Sequence, residues 1–297
     1  MRALLHSPRL KTFVAALCAA AFIAGCSTLQ APDEPKYLRA LEVDVTSHRS
    51  LSQDSRAQHL VLHFTTINNE ASIRVLTLGA VSSHYLVTEP ENGVPPKIYQ
   101  FVAEHRRAFH AGVSHWKGAA GLNASSIGIE IVGKGYTDTP EGRIWHEFPK
   151  EQIDLVIALT KGIVKEHQIR PDRVVGHSDI APGRKNDPGP KFPWKRFADE
   201  GIIPWPDEAM VAAKQREFES KLPDVAWLQQ KLTAHGFNVP GTNTYDQTTK
   251  NAVEAFQMKY RQAKFDGLLD AETAALLDIA TRPDGFRVRA VASEKKP

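Results

Sequence analysis

The sequence predicts an α/β fold, a mixed β-sheet flanked by helices, followed by a small all-α domain of three helices. Three observations carry this expectation. Short apolar runs rich in β-branched residues, "HLVLHFTT" (59–66) above all, read as buried strands. One long stretch, "PKEQIDLVIALTKGIVKEH" (149–167), repeats apolar residues at helical spacing. Strand and helix segments mix without strict alternation, so the sheet is expected to be mixed rather than all parallel.

In chain order, residues 1–25 read as a signal sequence. Arg2, Arg9 and Lys11 precede an apolar stretch, Phe13 to Ala24, that is shorter than the ~20 residues needed to span a bilayer. The stretch ends in "FIAGC", which resembles the lipobox of bacterial lipoproteins, and that resemblance implies acylation of Cys26 and a membrane anchor. Ser27, not Asp, follows Cys26, which by the same resemblance points to the outer membrane and the periplasm. Residues 26–52 are polar with scattered Pro and read as a tether. "SSHYLVTE" (82–89) and "KIYQFVAE" (97–104) are further strand candidates, and "EASIRVLTLGA" between the first strands reads as a helix ending at Gly79. In "SSIGIEIVGKG" (125–135), Ile127, Ile129 and Ile131 share one face, while Gly128, Glu130 and Val132 share the other. Pro171 stops the long helix, and "RVVGHSD" (173–179) reads as a short strand ending at His177. "PWPDEA" (204–209) closes the first domain, expected over 53–205. The second, over 222–280, takes its helices from 224–237, 246–260 and 270–280, the last with Asp270 as N-cap. Residues 281–297 read as a poorly ordered tail.

Composition narrows the partners and the chemistry. The net charge is +3 over 297 residues, and no long Lys/Arg run appears in the body of the chain, so no nucleic-acid partner is expected. Of the two cysteines, Cys18 leaves with the signal and Cys26 is the acylation candidate. A metal site in the mature chain must therefore use His and carboxylates. His63, Glu130 and His177 fall at expected strand ends, and Lys185 and Asp187 lie in the Pro/Gly loop "GHSDIAPGRKNDPGP" (176–190). Two His and one carboxylate suffice for a catalytic zinc with one open position. A nearby Glu can move protons and a Lys can steady an oxyanion. Such parts suit a metal-assisted amide hydrolase. From the residues alone, Asp179 competes with Asp187 as the third ligand, and His84 is a further histidine better read as packed or hydrogen-bonded.

"HLVLHFTT", "SSHYLV", "AFHAG", "SIGIEI" and "VVGHSDIAPGRKNDPGP", in this order, resemble the zinc-dependent N-acetylmuramoyl-L-alanine amidases of the type 2 amidase family, related to peptidoglycan recognition proteins. The resemblance implies Zn²⁺ held by His63, His177 and Asp187, with Glu130 and Lys185 as catalytic residues. It also implies peptidoglycan and muropeptides, including 1,6-anhydromuramyl forms, as substrates. Phe109 stands before the "HAG" histidine where Trp is common in the family. His110 and Trp116 are candidates to line the substrate cleft, with loop packing as the alternative. Arg184 is a candidate for a stem-peptide carboxylate, with a solvated turn as the alternative. The C-terminal motifs "LQQKL", "AVEAFQ", "DG" and "AET" resemble a three-helix peptidoglycan-binding-like domain. The alternative function is a non-catalytic peptidoglycan-binding lipoprotein.

Overall fold

A computed structural model describes residues 38, 40, 41 and 43–286. The signal sequence, Cys26 and residues 287–297 lie outside the described residues. The chain divides at Gln53 and Asp54 into two units. In the first, residues 43–53 run as coil and bends, with Asp44 Oδ1 accepting from the Thr46 and Ser47 amides at 2.9 Å each.

The second unit is built on a five-stranded sheet. Its strands are β1 (His59–Phe64), β2 (Tyr85–Val87), β3 (Ile98–Gln100), β6 (Ser126–Ile131) and β9 (Val174–Gly176), in the order β3-β2-β6-β1-β9, while β4 (His115–Trp116) and β5 (Ala119–Ala120) pair separately. The contacts β2–β6, β6–β1 and β1–β9 are parallel, and edge strand β3 is antiparallel, so the sheet is mixed as expected. Strands β2 and β3 are shorter than the apolar runs that suggested them. Pro90 and Pro96 flank the connection between them and cannot donate to a ladder.

Period-two alternation separates the faces of the sheet. Leu60, Leu62, Ile127, Ile129, Ile131 and Val174 point to one side and are buried. There they meet helix α2 (Lys150–His167) through Ile153, Val156, Ile157 and Ile163, together with Phe192, Trp194 and Phe197 around helix α4 (Trp194–Asp199). Helix α1 (Asn69–Leu78) opens on Asn68, whose side chain accepts from the Ala71 amide at 2.9 Å. The opposite face, with Val61 and Val175, packs against the C-terminal helices.

Those helices number four among the described residues: α5 (Glu208–Ser220), α6 (Val225–His235), α7 (Gln247–Tyr260) and α8 (Ala271–Ala280). An Asp caps each N-terminus, namely Asp207, Asp224, Asp246 and Asp270. Helix α5 was not expected from the sequence, although Asp207 followed by a run of helix formers is its signal. The sheet and the C-terminal helices are packed together through a shared core. Val61, Ala111, Trp116, Leu122, Val175 and Ile180 share one hydrophobic cluster with Leu228, Leu232, Phe237, Val253 and Phe256. The start of the expected tail is packed too: Phe286 pairs with Pro206 and joins this cluster, and the Gly285 carbonyl accepts from the Asp207 amide.

Candidate metal and catalytic site

Parallel pairing of β1 with β6 sets His63 beside Glu130 at matching register. Both point to the face that carries Gly128. Strand β9 lies on the other side of β1 and ends at Gly176. His177 follows as the first residue of a single helical turn, α3 (His177–Ile180), rather than the last of the strand. The turn is fixed by Asp179, whose carboxylate accepts from the Gly176 amide at 2.8 Å and from Lys259 Nζ at 2.9 Å. Asp179 is thus bound within the core, and it is not the third member of the cluster. Asp187 returns on the loop after α3, where its carbonyl accepts from the Ser178 amide at 2.8 Å and its bond to Pro188 is cis.

Three side-chain atoms converge. His63 Nδ1 lies 2.9 Å from His177 Nδ1 and 3.0 Å from Asp187 Oδ2, and His177 Nδ1 lies 3.2 Å from the same oxygen. Among the described residues this is the one group of three such side chains with ligand atoms within 4.8 Å of one another. Tetrahedral zinc with bonds of about 2.0–2.1 Å sets its ligand atoms about 3.3 Å apart, so the donor set and its spacing fit that ion. On its outer side, His177 Nε2 donates to the Ala111 carbonyl at 3.0 Å, because a carbonyl only accepts. That leaves a lone pair on Nδ1, which is what a metal requires.

The electrostatics divide the two carboxylates. Burial alone would raise Asp187, but the adjoining His177 and then His63 hold it well below the usual carboxylate range. Burial raises Glu130 well above its ordinary value, the charge of Asp187 adds to this, and Lys185 opposes it. Glu130 Oε2 is buried without a hydrogen-bond partner, so it is free to take a proton from a reactant. His63 is pushed down to about 4, chiefly by burial and then by His177.

These side chains line a cavity of about 550 Å³. Lys185 and Arg184 stand exposed at its rim. Arg184 Nη2 donates to the carbonyls of Ala111 at 2.8 Å and Val113 at 2.7 Å, so the residue is anchored rather than loosely solvated. His110 lines the cavity but lies behind His63, buried, with its Nδ1 2.9 Å from His63 Nε2. Trp116, expected along the cleft, is not there. Its indole is buried against His235 and Phe237, and Nε1 donates to the Asp172 carbonyl at 2.9 Å. His84 is structural: its Nδ1 accepts from the Gly128 amide at 3.0 Å.

Two walls of the cavity escape a sequence reading. One is the hairpin β7 (Tyr136–Thr139) and β8 (Gly142–Trp145), which contributes Tyr136 and Arg143, with the guanidinium 3.7 Å above the Tyr136 ring. "PEG" (140–142) at its tip was the available turn signal. The other wall is α7, through Asn251, Glu254 and Met258. No local pattern announces that contact.

Residues 53–190 match the family described as N-acetylmuramoyl-L-alanine amidase, and residues 221–277 match a domain family described as peptidoglycan binding. The chain is 36% identical over 272 residues to N-acetylmuramoyl-L-alanine amidase AmiD of Escherichia coli K12, covering 91% of this chain and 97% of that protein. A solved structure of that amidase, bound to anhydro-N-acetylmuramic acid-L-Ala-D-gamma-Glu-L-Lys, superposes with a TM-score of 0.71 at 37% identity, over 78% of this chain and 91% of the other. AmpDh3 of Pseudomonas aeruginosa in complex with anhydromuramic pentapeptide superposes with a TM-score of 0.74 at 39% identity, over 80% of this chain and 96% of the other. With a relative 36% identical to it over nearly that protein's whole length, the chain belongs to the N-acetylmuramoyl-L-alanine amidase family.

Proposed function

We propose that the chain is a zinc-dependent amidase that hydrolyses the bond between N-acetylmuramic acid and L-alanine, in peptidoglycan and in 1,6-anhydromuramyl fragments. One observation carries this reading. Three metal-type donors converge in a cavity that also holds a buried carboxylate oxygen without a partner. A non-catalytic wall-binding role gives no reason for that combination.

His63, His177 and Asp187 would hold the zinc. Bound there, it would supply Lewis acidity for a carbonyl and lower the pKa of water toward neutral pH. Glu130 takes the proton of the attacking water and then delivers it to the L-alanine nitrogen as the bond breaks. Lys185, at the rim, offsets negative charge on the carbonyl oxygen. Among the described residues the hydrogen bonds of Arg184 all run through Nη2, which leaves its other N–H groups to meet a stem-peptide carboxylate. Digestion of purified peptidoglycan by the chain lacking residues 1–26, followed by mass spectrometry, tests the reading. Free stem peptides beginning with L-Ala are expected, and they should vanish on chelation and with Glu130→Ala. Cleavage between amino acids would overturn it.

The N-terminal motif supports a periplasm-facing lipoprotein of the outer membrane, acylated at Cys26. Expression of Cys26→Ser should move the protein from the membrane fraction to the soluble fraction. Unchanged fractionation would exclude the anchor.

A further inference from the structure

A histidine binds a cation through Nδ1 only if its proton sits on Nε2, and that choice is made on the far side of the ring. For His63 the far side is a chain of three contacts. His63 Nε2 lies 2.9 Å from His110 Nδ1, His110 Nε2 lies 3.1 Å from Ser126 Oγ, and Ser126 Oγ lies 2.6 Å from the Leu122 carbonyl. The directions follow from the last member. A carbonyl only accepts, so the single hydroxyl proton of Ser126 goes to Leu122. Ser126 Oγ therefore accepts from His110 Nε2–H. With its N–H spent there, neutral His110 presents a lone pair at Nδ1, and His63 Nε2–H donates to it. His63 is left with a bare Nδ1 at the cluster.

The neighbouring residue does the same for the other histidine: the Ala111 carbonyl accepts from His177 Nε2–H, and Arg184 Nη2, 3.3 Å from that nitrogen, already spends its two hydrogens on the Ala111 and Val113 carbonyls. Residues 110 and 111 are themselves pinned. Asn123 Oδ1 accepts from the His110 amide at 3.0 Å and the Ala111 amide at 2.7 Å. The His110 ring lies flat on β6 at Gly128, where a Cβ would fall 2.6 Å from His110 Cγ. No larger residue fits there without displacing the ring.

We propose that the "HA" pair, His110 and Ala111, is the positioning element of the site, setting both ligand histidines in the Nε2–H tautomer. His110 acts with Ser126 behind it, and Asn123 clamps the pair. The use made of the tautomer rests on the zinc reading above, but the tautomer itself can be read without metal.

Long-range ¹H–¹⁵N spectra of the metal-free protein lacking residues 1–26 should show Nε2 of His63 and of His177 both protonated. Either ring bare at Nε2 would overturn the proposal. Zinc affinity, measured by competition with a chromophoric chelator, gives the second arm. His110→Leu, which removes the acceptor, should weaken zinc binding by about 10- to 100-fold. His110→Asn returns an amide oxygen near the Nδ1 position and should recover most of that loss. Equal affinities for His110→Leu and the native chain, or no rescue by Asn in a folded protein, count against the proposal. If His110→Leu fails to fold, the native spectra decide. A native chain with the expected tautomers and no zinc uptake would refute the zinc reading while leaving the tautomer assignment standing.

Discussion

As the proposed base, Glu130 would owe its reactivity to its surroundings. Burial, and then the charge of Asp187, raise its pKa well above the ordinary carboxylate value. The working base is the ionised form, which exists only above the folded-state pKa. Thus kcat/KM should fall as the pH drops through that value, with the acid limb above the ordinary range of about 4.3. Glu130→Gln keeps the shape and removes the base. A loss of about 10²- to 10⁴-fold in kcat is expected, with zinc content by atomic absorption unchanged. A variant that kept its rate would remove Glu130 from the proton path. At this scale the local pattern showed the candidates but left the two carboxylates of the 176–190 loop undecided, and only the family resemblance chose Asp187. Asp179 and Asp187 look alike in a local pattern. What separates them is Lys259, 80 residues further on, which engages Asp179 and leaves Asp187 to the histidines.

The elements of the catalytic sheet were legible because each has one face dictated by water exclusion. Ile127, Ile129 and Ile131 alternate with Gly128 and Glu130, and a period of two has one structural meaning. Hairpin β7–β8 and helix α5 lack so strong a stripe, and they are set by what they pack against. The turn after β9 shows how one element depends on another. Its Asp179 is bound to the buried ammonium of Lys259, which also lies 4.2 Å from the Trp194 ring centroid. Lys259→Met would strand a buried carboxylate, so unfolding in urea should show a loss of about 3–5 kcal/mol. Adding Asp179→Asn should restore part of it, because the uncompensated charge is then gone. A Lys259→Met protein as stable as the native chain would mean that water reaches Asp179.

For the whole molecule, the shared core makes the C-terminal helices a condition of the amidase fold. His235, at the end of α6, sits among Trp116, Phe237, Phe256 and Tyr260 in this core. Burial, reinforced by the charges of Lys259 and Lys117, pushes it down to about 3 from 6.5. The unfolded chain takes up a proton at this residue below about pH 6.5, whereas the folded chain does not until far lower. Stability should therefore fall as pH drops from about 6.5 toward 3, by about 1.4 kcal/mol per pH unit from this one side chain. His59 and His84, each pushed to about 4 chiefly by burial, add to the same slope. Urea midpoints at pH 7, 6 and 5 should show this decline, and His235→Gln should flatten it without abolishing it. An unaltered slope in that variant would mean that His235 is solvated in the native state.

The presence of α7 in the cavity wall has an engineering consequence. A catalytic unit and a wall-binding unit joined by a flexible linker can be exchanged like beads on a string. Here one wall of the cavity beside the His–His–Asp cluster is inherited with the second segment, through Asn251, Glu254 and Met258. A chimera carrying a foreign C-terminal segment would keep the His–His–Asp cluster and lose a side of that cavity. Recombination that respects sequence-family borders would therefore cut through a working part.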